Sequence, residues 1–288
     1  MSPHIFLIDN GSLRADAVLA LRDLAAQLAQ RVGMEVQPVS LLHSSKVPAA
    51  DLGGVSAAVV KPALRRLIAA GGRELVCVPL FLGPSLAITG YLQNLIAEAQ
   101  RLSTDLNVVV ADPLVGADVN DPDPRLAAML AAHVRRVIAS SGLVQARVAL
   151  VDHGTPVEVV NHVRNAVAGQ LADLLRGEVA AVAPCSMERR EGPDYEFNEP
   201  LLERLDQVFG WSGSDVIIAL FFLLPGRHAG ANGDVAQICD GLVERGALKS
   251  VVRTPLLHVH PCLIDLLADR LHAALYKLTG LACGSLHE

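Results

Sequence analysis

Short apolar runs alternate with amphipathic stretches along the whole 288-residue chain. In the first half HIFLID, EVQPVSLL, ELVCVPLF and NVVVADP read as strands, separated by helical patterns at 13–31, 55–71, 90–103 and 122–140. The second half repeats the order with RVALVD, EVAAVAP, DVIIALFF and SVVRTPLL, and helices near 156–176, 199–210, 233–246 and 261–280. Nearly continuous apolar runs suit strands buried on both faces, and strand–helix alternation predicts βαβ units around parallel sheets. The expected fold is therefore α/β, with two pseudo-symmetric modules, each a parallel sheet flanked by helices.

The two modules follow from a repeat. LIDNGSLRADA (7–17) is answered by LVDHGTPVEVV (150–160), and VCVPLFLGPSLA (76–87) by VIIALFFLLPGRHA (216–229). LRDLAAQLAQ (21–30) resembles VRNAVAGQLAD (163–173), which aligns Arg22 with Arg164. The seam is expected in the Ser/Gly turn ASSGLVQ (139–145), giving modules at 1–142 and 143–288. Only the second copy keeps its histidines: Asn10 stands where His153 stands later, and Ala87 where His228 stands.

Composition narrows the function. Hydrophobic residues make up 51%, enough for a core in each half. A net charge of −6 and 3% aromatics argue against a nucleic-acid surface, which needs basic faces and stacking rings. The five cysteines (Cys77, Cys185, Cys239, Cys262, Cys283) lie far apart with no C-x-x-C pair, as expected of a reduced, cytoplasmic chain. Cys77 reads as a buried strand residue, and Cys283 as a free thiol or a metal-handling group. No apolar run approaches the roughly 20 residues of a bilayer span, so no membrane partner is expected.

In open parallel sheets, ligands bind beyond the carboxyl ends of the strands. His153 follows the first strand of the second half, Glu188 the second and His228 the third, so three potential donors meet on one rim. Two imidazoles and a carboxylate suit a divalent first-row metal. Arg189, Arg190 and Arg227 stand beside these donors and point to an anionic substrate, since guanidinium forks match carboxylates. Gly226, Gly230 and Gly233 are expected to let a large flat ligand approach the backbone.

At these motifs the chain resembles the class II chelatases of the CbiX/SirB type, the sirohydrochlorin cobalto- and ferrochelatases. DHGT (152–155) matches the family's G-H-G-S-like turn, and FFLLPGRHAGANGDV (221–235) its F-L-x-P-G-R-H motif. Glu188 in SMERRE is the best match to the family glutamate. PLLHVHP (255–261) resembles its P-L-G-x-H-P segment. The resemblance implies a lyase that inserts Co2+ or Fe2+, with Ni2+ also compatible, into sirohydrochlorin or a related tetrapyrrole for cobalamin or siroheme. The metal would be a substrate, and no organic cofactor is implied. His153, His228 and Glu188 would bind the metal and take up protons, while Arg227, Arg189 and Arg190 receive substrate carboxylates. Asn10 and Ser12 are candidate substrate contacts from a first module that resembles a degenerate chelatase unit shaping the cleft.

Two other features stay open. The first half lacks the glutamate, with His43 near its position in PVSLLHSSK (38–46) and the register unfixed. The histidines His258 and His260, at strand spacing, would share a face; His162, His133 and His272 read as helix-face residues. The rival function is a non-catalytic metal or tetrapyrrole carrier of the same fold.

Overall fold

The computed structural model describes residues 2–207 and 210–280. These form two compact units: the described residues up to Ala117 together with those from Leu263 onward, and Asp118–Cys262.

In the first unit four parallel strands, β1 (His4–Asp9), β2 (Gln37–Ser40), β3 (Glu74–Pro79) and β4 (Asn107–Val110), pair in the order β2-β1-β3-β4. Helices α1 (Ala15–Val32), α2 (Val60–Ala69) and α3 (Leu92–Leu102) connect them. β1 and β3 are buried on both faces, as their unbroken apolar runs predict. Phe6, Ile8, Cys77, Leu64 and Leu92 pack together in the core on one side of this sheet.

In the second unit α4 (Pro124–Ser141) comes first, then β5 (Arg147–Asp152), α5 (Glu158–Leu174), β6 (Ala181–Ser186), β7 (Asp215–Leu220), α6 (Asp234–Glu244) and β8 (Ser250–Arg253). The strands are again all parallel, in the order β6-β5-β7-β8. Val151, Cys185, Leu205, Trp211 and Ile218 anchor its core. The final helix, α7 (Cys262–Leu278), packs on the first unit, where Arg270 donates to the carbonyls of Pro113 (3.1 Å) and Leu114 (2.9 Å).

The repeat and the compact units therefore differ by two helices. α4 is the last helix of the first repeat, yet it packs on α5 and β7. It starts where Asp123 accepts from the Arg125 N–H (3.1 Å) with Pro124 in the first turn, and Gly142 closes it inside the expected Ser/Gly seam. α7, the last helix of the second repeat, makes the reverse journey.

Two sequence expectations are corrected. The helix expected at 199–210 is a 3-10 turn over Leu202–Gln207 among the described residues. Leu202 and Leu205, three apart and both fully buried, eclipse each other in the tighter helix. PLLHVHP does not continue a strand: Leu257–Val259 is a 3-10 turn, so His258 and His260 do not share a face as strand neighbours would. His258 Nδ1 lies 2.9 Å from the Leu223 carbonyl, whereas the His260 ring leans on His133 with centroids 5.4 Å apart. His133 itself is fully buried on α4. His162 lies exposed on α5, 3.8 Å from Glu158. Cys283 lies outside the described residues.

Candidate metal centre

The end of β5 and the loops after β6 and β7 bring together residues distant in sequence. His153 follows β5 directly, Glu188 lies two residues beyond β6, and His228 stands in the loop between β7 and α6. His153 Nε2 is 3.3 Å from His228 Nε2 and 3.4 Å from Glu188 Oε1. The two rings meet edge to face, with centroids 4.4 Å apart.

Acceptors on the far side of each ring bear on what those Nε2 atoms present. His228 Nδ1 lies 2.7 Å from Asp234 Oδ2, at the start of α6. His153 Nδ1 lies 3.1 Å from the Gly154 carbonyl. A carboxylate and a carbonyl only accept, so each stabilises the tautomer with hydrogen on Nδ1, which leaves the Nε2 lone pairs open toward each other. In that tautomer a cation between the two nitrogens, 3.3 Å apart, would accept both lone pairs. Two nitrogens each about 2.1 Å from one tetrahedral ion would stand roughly 3.4 Å apart, which is the bite this pair has. Among the described residues no group of three or more His, Cys, Asp or Glu side chains is placed to hold a metal ion. The geometry is a two-imidazole bite with an exposed carboxylate on one side.

The backbone explains why the His153 turn has its shape. Gly154 sits at φ 91, and a Cβ there would lie 1.9 Å from the Glu188 carbonyl oxygen. Only glycine lets the His153 turn and the Glu188 loop approach this closely. The Glu188 N–H then donates to the His153 carbonyl (3.2 Å), and the Met187 N–H to that of Asp152 (2.8 Å). In the His228 loop, a Cβ on Gly230 would meet the Gly226 oxygen at 2.7 Å, and one on Gly233 the His228 oxygen at 2.5 Å. Those two glycines are demanded by the loop's own folding, a different reason from the ligand access expected of them.

Beneath His153 lies a polar network that sequence reasoning missed. Asp152 Oδ1 accepts from the Ser186 hydroxyl (2.6 Å) and from the Gly154 N–H (3.2 Å). Arg164, 1% exposed, donates to Ser186 Oγ and to the Asn198 carbonyl (3.0 Å), and its Nη1 stands 3.8 Å from Asp152. Burial pushes the Asp152 carboxyl up, with Arg164 and Ser186 opposing; burial also pulls the Arg164 guanidinium down. Arg164 could have been flagged: it lies on the buried stripe Asn161, Arg164, Ala168, Leu171 of α5, where a charge needs partners. Asp234 had a signal too, as the acidic residue in the first turn of the helix after the His228 loop.

The candidate arginines divide. Arg189 is held by Glu199 (2.8 Å) and by the Arg190 and Gly192 carbonyls, so it braces its own loop. Arg190 is exposed, its guanidinium 5.7 Å from the Tyr195 ring centre. Arg227 is 81% exposed, 3.6 Å from Asp234. Asn10 and Ser12 lie in the first unit, in the turn equivalent to His153–Thr155, where the Ser12 N–H donates to Ser44 Oγ (3.0 Å).

This fold, a pair of four-stranded parallel sheets with helices on their faces, is that of the chelatases. Residues 4–137 match CbiX, the family the chain resembles, although the matched stretch is the half without the two histidines and their motifs. SirB from Bacillus subtilis with Fe3+ superposes with a TM-score of 0.69 at 14% identity, covering 96% of this chain and 97% of that one. The sirohydrochlorin chelatase SirB from Bacillus subtilis subspecies spizizenii, in complex with cobalt, gives 0.67 at 14%, covering 97% and 98%. A multi-domain Deinococcus radiodurans protein with structural similarity to chelatases gives 0.58 at 14%, over 94% of this chain and 54% of that protein. No protein of curated function matches the chain by sequence. No helix among the described residues is long and apolar enough to cross a membrane.

Proposed function

We propose that this chain is a class II chelatase that inserts Co2+ or Fe2+ into sirohydrochlorin or a close carboxylated relative. The observation that carries the reading is the His153–His228 pair, two imidazole nitrogens at the spacing of one shared ion. The CbiX match and the SirB fold support it.

On this reading the divalent ion is a substrate, received by His153 Nε2 and His228 Nε2. Asp234 holds the His228 ring in the metal-binding tautomer and raises its donor strength. The ring-shaped substrate exchanges two pyrrole N–H protons for one divalent ion, so two protons must leave as it enters. Each imidazole that gives up the ion regains a lone pair that accepts a proton, with Glu188 as a further acceptor beside His153. Glu188 also becomes a third donor when its exposed side chain turns toward the ion. Arg227 and Arg190 are the exposed guanidinium groups suited to the peripheral carboxylates.

The test is anaerobic mixing of purified protein, sirohydrochlorin and each metal, followed by absorption. Catalysed conversion to the metal chelate with Co2+ or Fe2+ is expected. Tetrapyrrole binding without metallation would replace this reading with that of a carrier.

A further inference from the structure

Arg164 is the most completely buried arginine or lysine among the described residues, and it touches three segments at once. Its Nη1 donates to Ser186 Oγ at the end of β6 and to the Asn198 carbonyl (3.0 Å), while Nη2 reaches the Phe197 carbonyl (3.4 Å). Nε and Nη2 also donate to Asn165 Oδ1 (3.0 and 2.9 Å), which anchors the side chain on α5. From these contacts the ties run straight to the His153 turn. The Ser186 hydroxyl donates to Asp152, which also receives the Gly154 N–H. Asn198, fully buried, accepts from the Thr155 N–H (2.9 Å) and donates to the Thr155 carbonyl (2.9 Å). His153 is thus flanked on both sides by residues pinned to groups that Arg164 holds, while Glu188 follows Ser186 by two residues.

The first unit supplies the contrast. Its matching arginine, Arg22, points away and donates to the carbonyls of Leu52 (2.8 Å) and Val55 (2.6 Å), in the half where the histidine is Asn10.

We propose that Arg164 is a positioning residue: its guanidinium fastens the β5 and β6 ends and the Pro193–Asn198 turn together, and so sets where His153 stands relative to His228. The proposal rests on the two-imidazole reading above. Fixing donor geometry matters because metal affinity falls when ligands are left to reorganise.

The test uses the full chain with Arg164→Lys, Arg164→Met and Asn198→Ala, and Arg22→Met as the control in the other half. Each is read by melting temperature, by Co2+ titration without tetrapyrrole well below that temperature, and by the His153–His228 ring contact in metal-free NMR spectra. Arg164→Met is expected to weaken Co2+ binding at least about tenfold, with partial rescue in Arg164→Lys. Asn198→Ala, which leaves no buried charge unpaired, is expected to lose several-fold in affinity and to weaken the ring contact. Arg22→Met should bind Co2+ as the wild type does. If Arg164→Met fails to fold, Asn198→Ala and Arg164→Lys decide. Folded forms of these two with wild-type affinity and an unchanged ring contact would overturn the proposal. A wild-type protein that binds Co2+ but metallates no tetrapyrrole defeats the proposed function and leaves this inference standing. If it binds no Co2+, the metal-free ring contact alone decides.

Discussion

The two units use one backbone design and only one of them carries the donors. In the first, the Leu41 and Leu42 N–H groups donate to the carbonyls of Asp9 and Asn10 (2.9 and 3.2 Å); in the second, Met187 and Glu188 do the same to Asp152 and His153 (2.8 and 3.2 Å). Gly11, at φ 93, crowds the Leu42 oxygen as Gly154 crowds that of Glu188, with would-be Cβ distances of 1.7 and 1.9 Å. This fixes the register that the sequence leaves open: Leu42 occupies the place of the glutamate and His43 that of Arg189. Ser40 stays beside Asp9 as Ser186 stays beside Asp152. The frame, which both sheets need in order to fold, persists where the donors do not. The difference also leaves a scar. Without an inward arginine, Asp9 keeps one buried oxygen with no hydrogen-bond partner, and burial raises its carboxyl to about 6.

The sharpest break of this comparison is to strip each half of its rim residue. His153→Ala or His228→Ala should remove at least about 99% of metal insertion and of Co2+ binding, whereas Asn10→Ala should stay within about twofold in Co2+ binding. An active His153→Ala protein would place the site elsewhere.

The shared frame predicts equal injury in both halves. Gly11→Ala and Gly154→Ala each drive a methyl into a carbonyl oxygen, at a positive φ, and should each cost about 3 kcal/mol or more. Urea melts of the two variants measure it, and a tolerated Gly11→Ala would show that the first turn has relaxed.

The buried aspartate gives a pH test. An unfolded Asp9 releases its proton near 3.8, but the folded one keeps it to about 6. Between these values the folded state binds the extra proton, so its contribution falls as pH rises, by about 3 kcal/mol in all, and stays lost above about 6. Asp9→Asn should remove this fall when melts at pH 4 and pH 7 are compared. His133, in the other unit, acts in the opposite sense: burial lowers it from 6.5 to about 4, so its contribution declines as pH falls through that window.

The mildest predicted change is Asp234→Asn, which weakens the partner of His228 Nδ1 without removing the ligand. A loss of about 10–100-fold in Co2+ affinity is expected, by calorimetric titration, with the melting temperature little altered.

Much of this was legible in the chain. Period, the alternation of strands and helices within each half and the meeting of residues 153, 188 and 228 on one edge follow from apolar runs and from where ligands sit in parallel sheets. The Asp152–Arg164–Ser186–Asn198 network was not legible, because its members are far apart and each is an unremarkable polar residue until the fold buries it. The part Gly230 and Gly233 play in folding their own loop was not legible for a similar reason: a sequence shows that a side chain is missing, but not which backbone atom fills the space. The 3-10 turn at Leu202–Gln207 was missed because two leucines three apart fit either helix, and only packing against β6 selects the tighter one.

The crossing of α4 and α7 has a practical consequence for anyone dividing the chain. A cut at the Ser/Gly turn after α4 follows the repeat but separates α4 and α7 from the units they belong to, and leaves each fragment with an amphipathic helix whose native partners lie on the other. Fragments made that way would regain their native packing by trading helices with each other, so co-expression, rather than either piece alone, is the route to a soluble split protein.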